Sequence, residues 1–470
     1  MTNILLIHSP HDKDHAVLDS GYTEEPPSLA LATLESIINQ ETPHIEVKTI
    51  DGKYTKIKEI KKEIEKNYDY VGFSDLFFNH DNSVELATHT RITTSSRIIF
   101  GNVNGEAMGR KLTMNSLADI VVRQYGEKSV IDVLRLGITG GYMNKPFDIN
   151  ELVNISFDSF KENLTQWDST NPDYNIDKIT PFPISTTRGC IKAKKSKACS
   201  FCATPYNSVK VLKPKNFWEM IRTFNDNYNI EYFFETGDDF LIGDYPKNIL
   251  EARPKDLEHN QFRFYGDFPA VNLETMQVLK ELGLRDFFIG LESVDEKVLT
   301  LANKRFDINY DNFDDILTKY DMLESLGINF YVPLLLGMKG ETSESLRKNL
   351  EFVEIATERY SHLTKLYTDI VVPTPGAQLF NDLLKNDKLV SEYQQHYLAI
   401  HNEELNANPR TALKIDYPLL MKLMVKYNSD ASFEEIIDVR EKMLSAGKKH
   451  GKETPDNFGV FPFKKYKQVK

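Results

Sequence analysis

Short apolar runs separated by helix-sized segments recur along this chain in two series, and this alternation constrains its fold more than any other feature. The first series is "NILLIH" (3–8), "IEVKTI" (45–50), "YDYVGFS" (68–74), "RIIFG" (97–101) and "DIVV" (119–122), with amphipathic stretches such as "SLALATLESIINQ" (28–40) between them. Strands spaced by helices imply a parallel sheet with helices on both faces. The second series is "PISTTR" (183–188), "IEYFFET" (230–236), "FRFYGD" (262–267), "DFFIGLE" (286–292), "INFYVPLLLG" (328–337) and "KLYTDIVV" (365–372). Six strand–helix pairs are too few to close a barrel, which leaves one side open to a large substrate. The reading is an α/β chain: a doubly wound, Rossmann-like sheet over 1–142, a polar, turn-rich linker over 143–180, a partial (β/α)6 TIM-type barrel over 181–384, and a charged helical region over 385–470. No internal repeat or low-complexity tract interrupts this order.

Composition sets outer bounds. At 470 residues the chain exceeds a single core, and 41% apolar residues suffice for two or three. A net charge of −12 argues against a general nucleic-acid binder. The apolar run in "MTNILLIHSPHDKDHA" is short for a signal peptide, and no window approaches the roughly eighteen apolar residues of a membrane span. The expectation is a cytoplasmic protein without membrane or nucleic-acid partners.

All three cysteines of the chain, Cys190, Cys199 and Cys202, lie in "STTRGCIKAKKSKACSFCATP" (185–205), between a strand end and the next helix. An odd number excludes a disulfide framework. A structural zinc site needs a fourth ligand, and the next histidine downstream is His259. A redox pair of Cys199 and Cys202 leaves Cys190 unexplained. The third candidate is an iron–sulfur cluster held at three corners, with one iron open to a substrate.

With these residues in view, the chain resembles the radical S-adenosylmethionine (SAM) superfamily, in the subgroup with an N-terminal cobalamin (B12)-binding-type domain. The superfamily signature is C-x3-C-x2-C after the first barrel strand, with an aromatic before the last cysteine, the place of Phe201 here. "TTRGC" and "CATP" flank the cysteines as in the subgroup. "FETGDDF" (234–240) stands at the family's second-strand motif, and "FFIGLESVDEKVLTLANK" (287–304) is similar to its Glu-Ser and Leu-x-x-x-Asn-Lys pattern. "LLLGMKGETSESL" (334–346) and "VVPTPGAQLF" (371–380) look like its later strand ends. "PPSLALATLES" (26–36), "RIIFGNVNGE" (97–106) and "ADIVVRQYGEKSVIDVL" (118–134) look like pieces of the cobalamin-type domain.

The resemblance implies that Cys190, Cys199 and Cys202 hold a [4Fe-4S] cluster, and that Phe201, Gly237, Asp238, Glu292, Ser293, Gly337 and Pro373 surround SAM. Ser74, Gly101 and Asn102 would meet cobalamin. Tyr265, Tyr331, Tyr367 and Asp369, near strand ends, are candidates for a substrate pocket, or for packing. Structural alternatives stand beside two of these: Asp238 as a helix cap, and Glu292 paired with Lys304.

Two departures from the family pattern stand out. The spacing is C-x8-C-x2-C, and the longer loop costs below ~1 kcal/mol in closure entropy. Its insert "IKAKKSKA" holds four lysines, either a solvated loop or a site where Lys192 to Lys197 meet an anionic substrate or an electron donor. The D-x-H-x-x-G motif of histidine-ligated cobalamin is missing; "DGKYT" (51–55) is the nearest stretch, so a histidine ligand is not expected.

The implied function is reductive cleavage of SAM to a 5′-deoxyadenosyl radical for chemistry on an unactivated carbon, with methyl or alkyl transfer to a small molecule where cobalamin is bound. Cobalamin-independent rearrangement or oxidation, and a non-catalytic redox sensor, are the alternatives. Methylthiotransfer would need a second cluster, for which no cysteines remain. The implied partners are a small-molecule substrate and a one-electron donor such as flavodoxin or ferredoxin.

Overall fold

The computed structural model of the chain describes residues 2–12, 26–152, 154–169, 181–194, 197–310 and 312–455. Six parallel strands form the first sheet: β1 (Asn3–His8), β2 (Glu46–Asp51), β3 (Tyr70–Ser74), β4 (Arg97–Gly101), β5 (Ile120–Val122) and β6 (Gly141–Met143). Their order is β2-β1-β3-β4-β5-β6, so the chain reverses direction across the sheet at β1 and β3. Ligands of such sheets bind beyond the carboxyl ends at that reversal. The inner strands β1, β3, β4 and β5 are largely apolar because helices cover both faces; Ile4, Val71, Ile98 and Val121 are fully buried.

The second sheet is also parallel, in the order β14-β13-β12-β11-β10-β7. Its strands are β7 (Phe182–Ile184), β10 (Tyr232–Glu235), β11 (Gln261–Asp267), β12 (Leu284–Gly290), β13 (Asn329–Leu336) and β14 (Leu363–Ile370). Between the first two lie β8 (Thr187–Arg188) and β9 (Lys210–Val211), a small antiparallel pair that frames the cysteine loop. Along β11, Phe262, Phe264 and Gly266 are buried towards the helices, while Arg263, Tyr265 and Asp267 alternate onto the half-buried concave side. This is the six-stranded partial barrel expected from the alternation.

The segment read as a linker is packed rather than loose. Phe147, Ile149, Leu152, Ile155, Phe157 and Phe160 are buried, because its apolar residues wedge between the two sheets' helices. The Ser156 amide donates to Ser36 Oγ of the first domain at 2.8 Å, and the Phe157 amide to Tyr228 Oη of the barrel at 2.7 Å. Residues 170–180 lie outside the described part.

The C-terminal helices pack on the barrel and reach the first domain. Helix Phe433–Lys449 packs on helix Ser343–Arg359 and on β14. Glu453 pairs with the outer edge of β14, covering it as an added strand residue would. The segment between helices Asp387–His401 and Tyr417–Asn428 reaches back to the first sheet. There His80 Nε2 meets the Leu413 carbonyl at 3.0 Å, and Lys111 Nζ donates to the Pro409 carbonyl at 2.8 Å. Among the described residues no helix is long and apolar enough to cross a membrane.

Candidate active site

The strand read from the sequence as "PISTTR" breaks in two, and the break aims the cysteine loop. Glu235, fully buried at the end of β10, accepts hydrogen bonds from the Thr186 amide (2.9 Å), the Thr186 hydroxyl (2.6 Å), the Thr187 amide (3.3 Å) and the Gly237 amide (2.8 Å). These backbone donors are thereby withdrawn from a strand ladder, so the chain kinks between β7 and β8. Burial pushes Glu235 up to about 7, against the pull of those hydrogen bonds. Gly189 follows with φ +83°, and a Cβ there would lie 2.0 Å from the Ser208 carbonyl oxygen, so only glycine fits. Its amide donates to Asp238 Oδ2 at 2.7 Å, which ties the residue before Cys190 to the end of β10.

The far side of the loop is pinned as well. The Ser200 amide donates to the Ala302 carbonyl (2.9 Å), and the Leu379 amide to the Ser200 carbonyl (2.7 Å). Cys199 and Cys202 close a turn, with the Cys202 amide 3.0 Å from the Cys199 carbonyl. Cys190 and Cys199 are partly buried and Cys202 reaches solvent. The enclosing protein pushes all three thiols up, Cys202 to about 11, and both other cysteines add to that rise. Lys304 and Lys192 pull Cys199 the other way.

No three described His, Cys, Asp or Glu side chains are arranged to hold a single metal ion. A cube receives each thiolate on a different iron and spreads its sulfurs wider than a mononuclear zinc does. Three neighbouring thiols on a backbone pinned at both ends fit that larger group.

A chain of charges lines the site: Lys192 Nζ to Asp267 Oδ2 (2.8 Å), Asp267 Oδ1 to Lys304 Nζ (3.6 Å), and Lys304 Nζ to Glu292 Oε1 (2.8 Å). Lys192 thus turns inward to Asp267 instead of standing on a solvated loop; Lys197 is exposed, and Lys195 lies outside the described residues. Asp239, beside Asp238, is a functional candidate that the sequence reading passed over. Burial pushes it up to about 6, and Asp267 and Asp238 add to the rise. Asp267 carried no expected role, because only the fold brings it to Lys192 and Lys304, whereas Lys304 stands where the structural alternative put it, paired with Glu292.

The residues expected around SAM fall into distinct settings. Phe201 is half-buried, with Lys304 Nζ 6.0 Å from its ring centre. Gly237 is buried and Asp238 exposed at the mouth of the barrel. Glu292 is a non-glycine residue at φ +67°, held there by β-bridge bonds to Pro333 and Leu335 and by Lys304. Ser293 is fully buried, and its hydroxyl is engaged with Asn349 and the Asp295 amide, which shapes the turn. Gly337, at φ +78°, faces Val425 and Ile436 of the C-terminal helices, and Pro373 is buried. The tyrosines named as substrate candidates share one aromatic cluster in the barrel. Tyr265 packs against Phe234 (4.8 Å) and Phe288 (4.9 Å), and Phe288 and Tyr331 both pack against Tyr367 (5.7 and 6.0 Å). Asp369 is half-buried near the end of β14.

Across from the cysteine loop, a cavity of about 350 Å³ opens at the carboxyl ends of the first sheet. Ser74, Gly101 and Asn102, the three residues expected there, all line it, and Asn102 Nδ2 donates to Ser74 Oγ at 3.2 Å. Its inner wall is apolar, with Leu6, Leu31, Ile99 and Val130. Ser185, Arg188, Tyr206 and Thr236 of the barrel form the opposite rim, so one space touches both domains.

Comparison with known proteins agrees with this arrangement. Residues 184–353 match the family described as Radical SAM superfamily. Bacteriochlorophyllide d C-8(2)-methyltransferase of Chlorobaculum tepidum is 23% identical over 243 residues, 48% of this chain and 49% of that protein. An uncharacterized protein of Archaeoglobus fulgidus is 26% identical over 272 residues, 52% of this chain and 48% of the other. The match spans about half the length of each curated relative. Among solved structures, the radical SAM methyltransferase TsrM of Kitasatospora setae, with cobalamin and [4Fe-4S] cluster bound, superposes at TM-score 0.60 with 15% identity, covering 82% of this chain and 75% of that one. The cobalamin-dependent radical enzyme OxsB, with aqua-cobalamin, gives 0.61 with 17% identity, covering 83% and 56%. At these identities the likeness is one of fold.

Proposed function

From a barrel segment that belongs to the Radical SAM superfamily, joined to the parallel first sheet that the TsrM and OxsB folds share, we propose that this chain is a cobalamin-dependent radical SAM enzyme. Its reaction is methyl or alkyl transfer to a carbon of a small-molecule substrate, with electrons from a one-electron donor such as flavodoxin or ferredoxin. Cys190, Cys199 and Cys202 hold the [4Fe-4S] cluster, and the cavity at Ser74, Gly101 and Asn102 receives cobalamin. When bound, the cluster supplies the electron that cleaves SAM, and cobalamin supplies a transferable alkyl group.

The chain's own residues bind, orient and shield. Glu235 and Gly189 fix the direction in which Cys190 leaves the barrel. Asp238 holds the Gly189 amide with one carboxylate oxygen and stands exposed at the mouth, where it meets the amino group of SAM. Phe201 and the strand ends at Gly237, Gly337 and Pro373 shape the surrounding backbone. Glu292 spends its carboxylate on Lys304, so its part is to set the charge beside Cys199. The C-terminal segment is held against the first domain where His80 Nε2 meets the Leu413 carbonyl.

The observation that carries this reading is the shared cavity: its walls come from the first sheet and from the barrel strand that leads to Cys190. The test is anaerobic incubation of reconstituted protein with SAM and reductant, with and without hydroxocobalamin. S-adenosylhomocysteine that forms only when cobalamin is supplied supports alkyl transfer through it. Turnover indifferent to cobalamin favours rearrangement or oxidation instead.

A further inference from the structure

Glu127 is buried, at 4% exposure, in the first turn of helix Gly126–Leu136, and it lines the 350 Å³ cavity. One of its carboxylate oxygens, Oε1, takes Arg188 Nη2 at 2.5 Å. The other, Oε2, has no hydrogen-bond partner among the described residues. An acceptor buried without a donor is costly, so a ligand that brings a donor to this point is favoured. Arg188 lines the same cavity from the barrel side, with its guanidinium 5.9 Å from both the Tyr125 and Phe147 rings.

We infer that Glu127 and Arg188 together recognise the nucleotide tail of cobalamin, with Glu127 Oε2 accepting a hydrogen bond from a ribose hydroxyl. The inference rests on the cobalamin reading above and deepens it. The chemistry of the tail selects this placement. It consists of a flat benzimidazole, a ribose and one phosphate. The alkylated ring and the phosphate only accept hydrogen bonds, and cobinamide keeps the aminopropanol amide that ties the tail to the corrin, so the ribose hydroxyls are the donors that cobinamide lacks. The apolar inner wall at Leu6, Leu31 and Ile99 suits the flat ring. Arg188 and the amino end of helix Gly126–Leu136 suit the phosphate. The carboxylate between them suits the sugar. Arg188 precedes Cys190 by two residues, so the tail and the cysteine loop share one anchor.

The test compares hydroxocobalamin with cobinamide, which keeps the corrin and its amides but lacks the nucleotide. Both are titrated onto the full-length, cluster-reconstituted protein and followed by visible absorbance. For Glu127→Ala the expected result is a loss of about tenfold in cobalamin affinity, the scale of one buried hydrogen bond, with cobinamide within about twofold of wild type. Glu127→Gln, an isostere that keeps an oxygen for Arg188, falls between the two and covers the case in which the alanine variant misfolds. Equal losses for both corrinoids, or no loss for either, overturn the assignment. Wild-type protein that binds neither corrinoid overturns the cobalamin reading itself, a result distinguishable from the others.

Discussion

The Lys304 ammonium lies 2.8 Å from the Glu292 carboxylate, and the space for it exists because residue 290 is glycine: a Cβ there would stand 2.7 Å from Lys304 Nζ. Both partners are buried, at 8% exposure each. Removing one member of such a pair strands the other charge, which costs about 3–5 kcal/mol. Lys304→Met is therefore expected to lower unfolding stability on that scale. The double variant Lys304→Met/Glu292→Gln recovers a substantial part, because no lone carboxylate remains at residue 292. Urea denaturation of the four proteins of this cycle measures the coupling.

Gly189 bears on cluster assembly in a different way. Its positive φ and the Ser208 carbonyl 2.0 Å from a would-be Cβ mean that Gly189→Ala must displace the β8–β9 frame. The expected outcome is a folded barrel that retains less than about a tenth of wild-type iron after anaerobic reconstitution, the scale on which displaced ligands lose a metal group. Iron and sulfide analysis beside far-ultraviolet circular dichroism separates this from global unfolding.

His80 predicts a pH dependence of stability. Burial alone would lower its pKa, but the Asp75 carboxylate, 2.8 Å from Nδ1, outweighs burial and pushes it up to about 9. A histidine raised above its ordinary 6.5 stabilises the fold fully below that value, and the contribution fades as pH climbs through about 9. The amount lost is on the order of 3 kcal/mol. Thermal unfolding between neutral and alkaline pH should show a drop that is much smaller in His80→Gln.

Legibility from sequence followed locality. β1 and β4 were read with their observed bounds, since each is an apolar run closed by polar or glycine residues. β6 was missed because "GYM" is three half-buried or exposed residues at a sheet edge, carrying no apolar signal. The break between β7 and β8 was invisible because its cause, Glu235, stands some fifty residues away and competes for the Thr186 and Thr187 amides. The same holds at the site. Cysteine spacing and the strand ends at Ser74 and Gly101 are local signals, whereas Glu127 meets Arg188, and Lys192 meets Asp267, only through the fold. The close packing of the connecting segment was hidden for another reason. Its polar residues outnumber the six apolar ones that the fold buries.

The central claim is that Cys190, Cys199 and Cys202 grip a cluster whose remaining iron activates SAM. Anaerobically reconstituted wild-type protein, incubated with SAM and dithionite, tests it by metal analysis of the protein beside chromatography of the products. The account predicts about four iron atoms per chain and accumulating 5′-deoxyadenosine, both lost when the three cysteines are replaced by alanine. Zinc or no metal at these thiols, or an intact cluster that releases no 5′-deoxyadenosine, would contradict it.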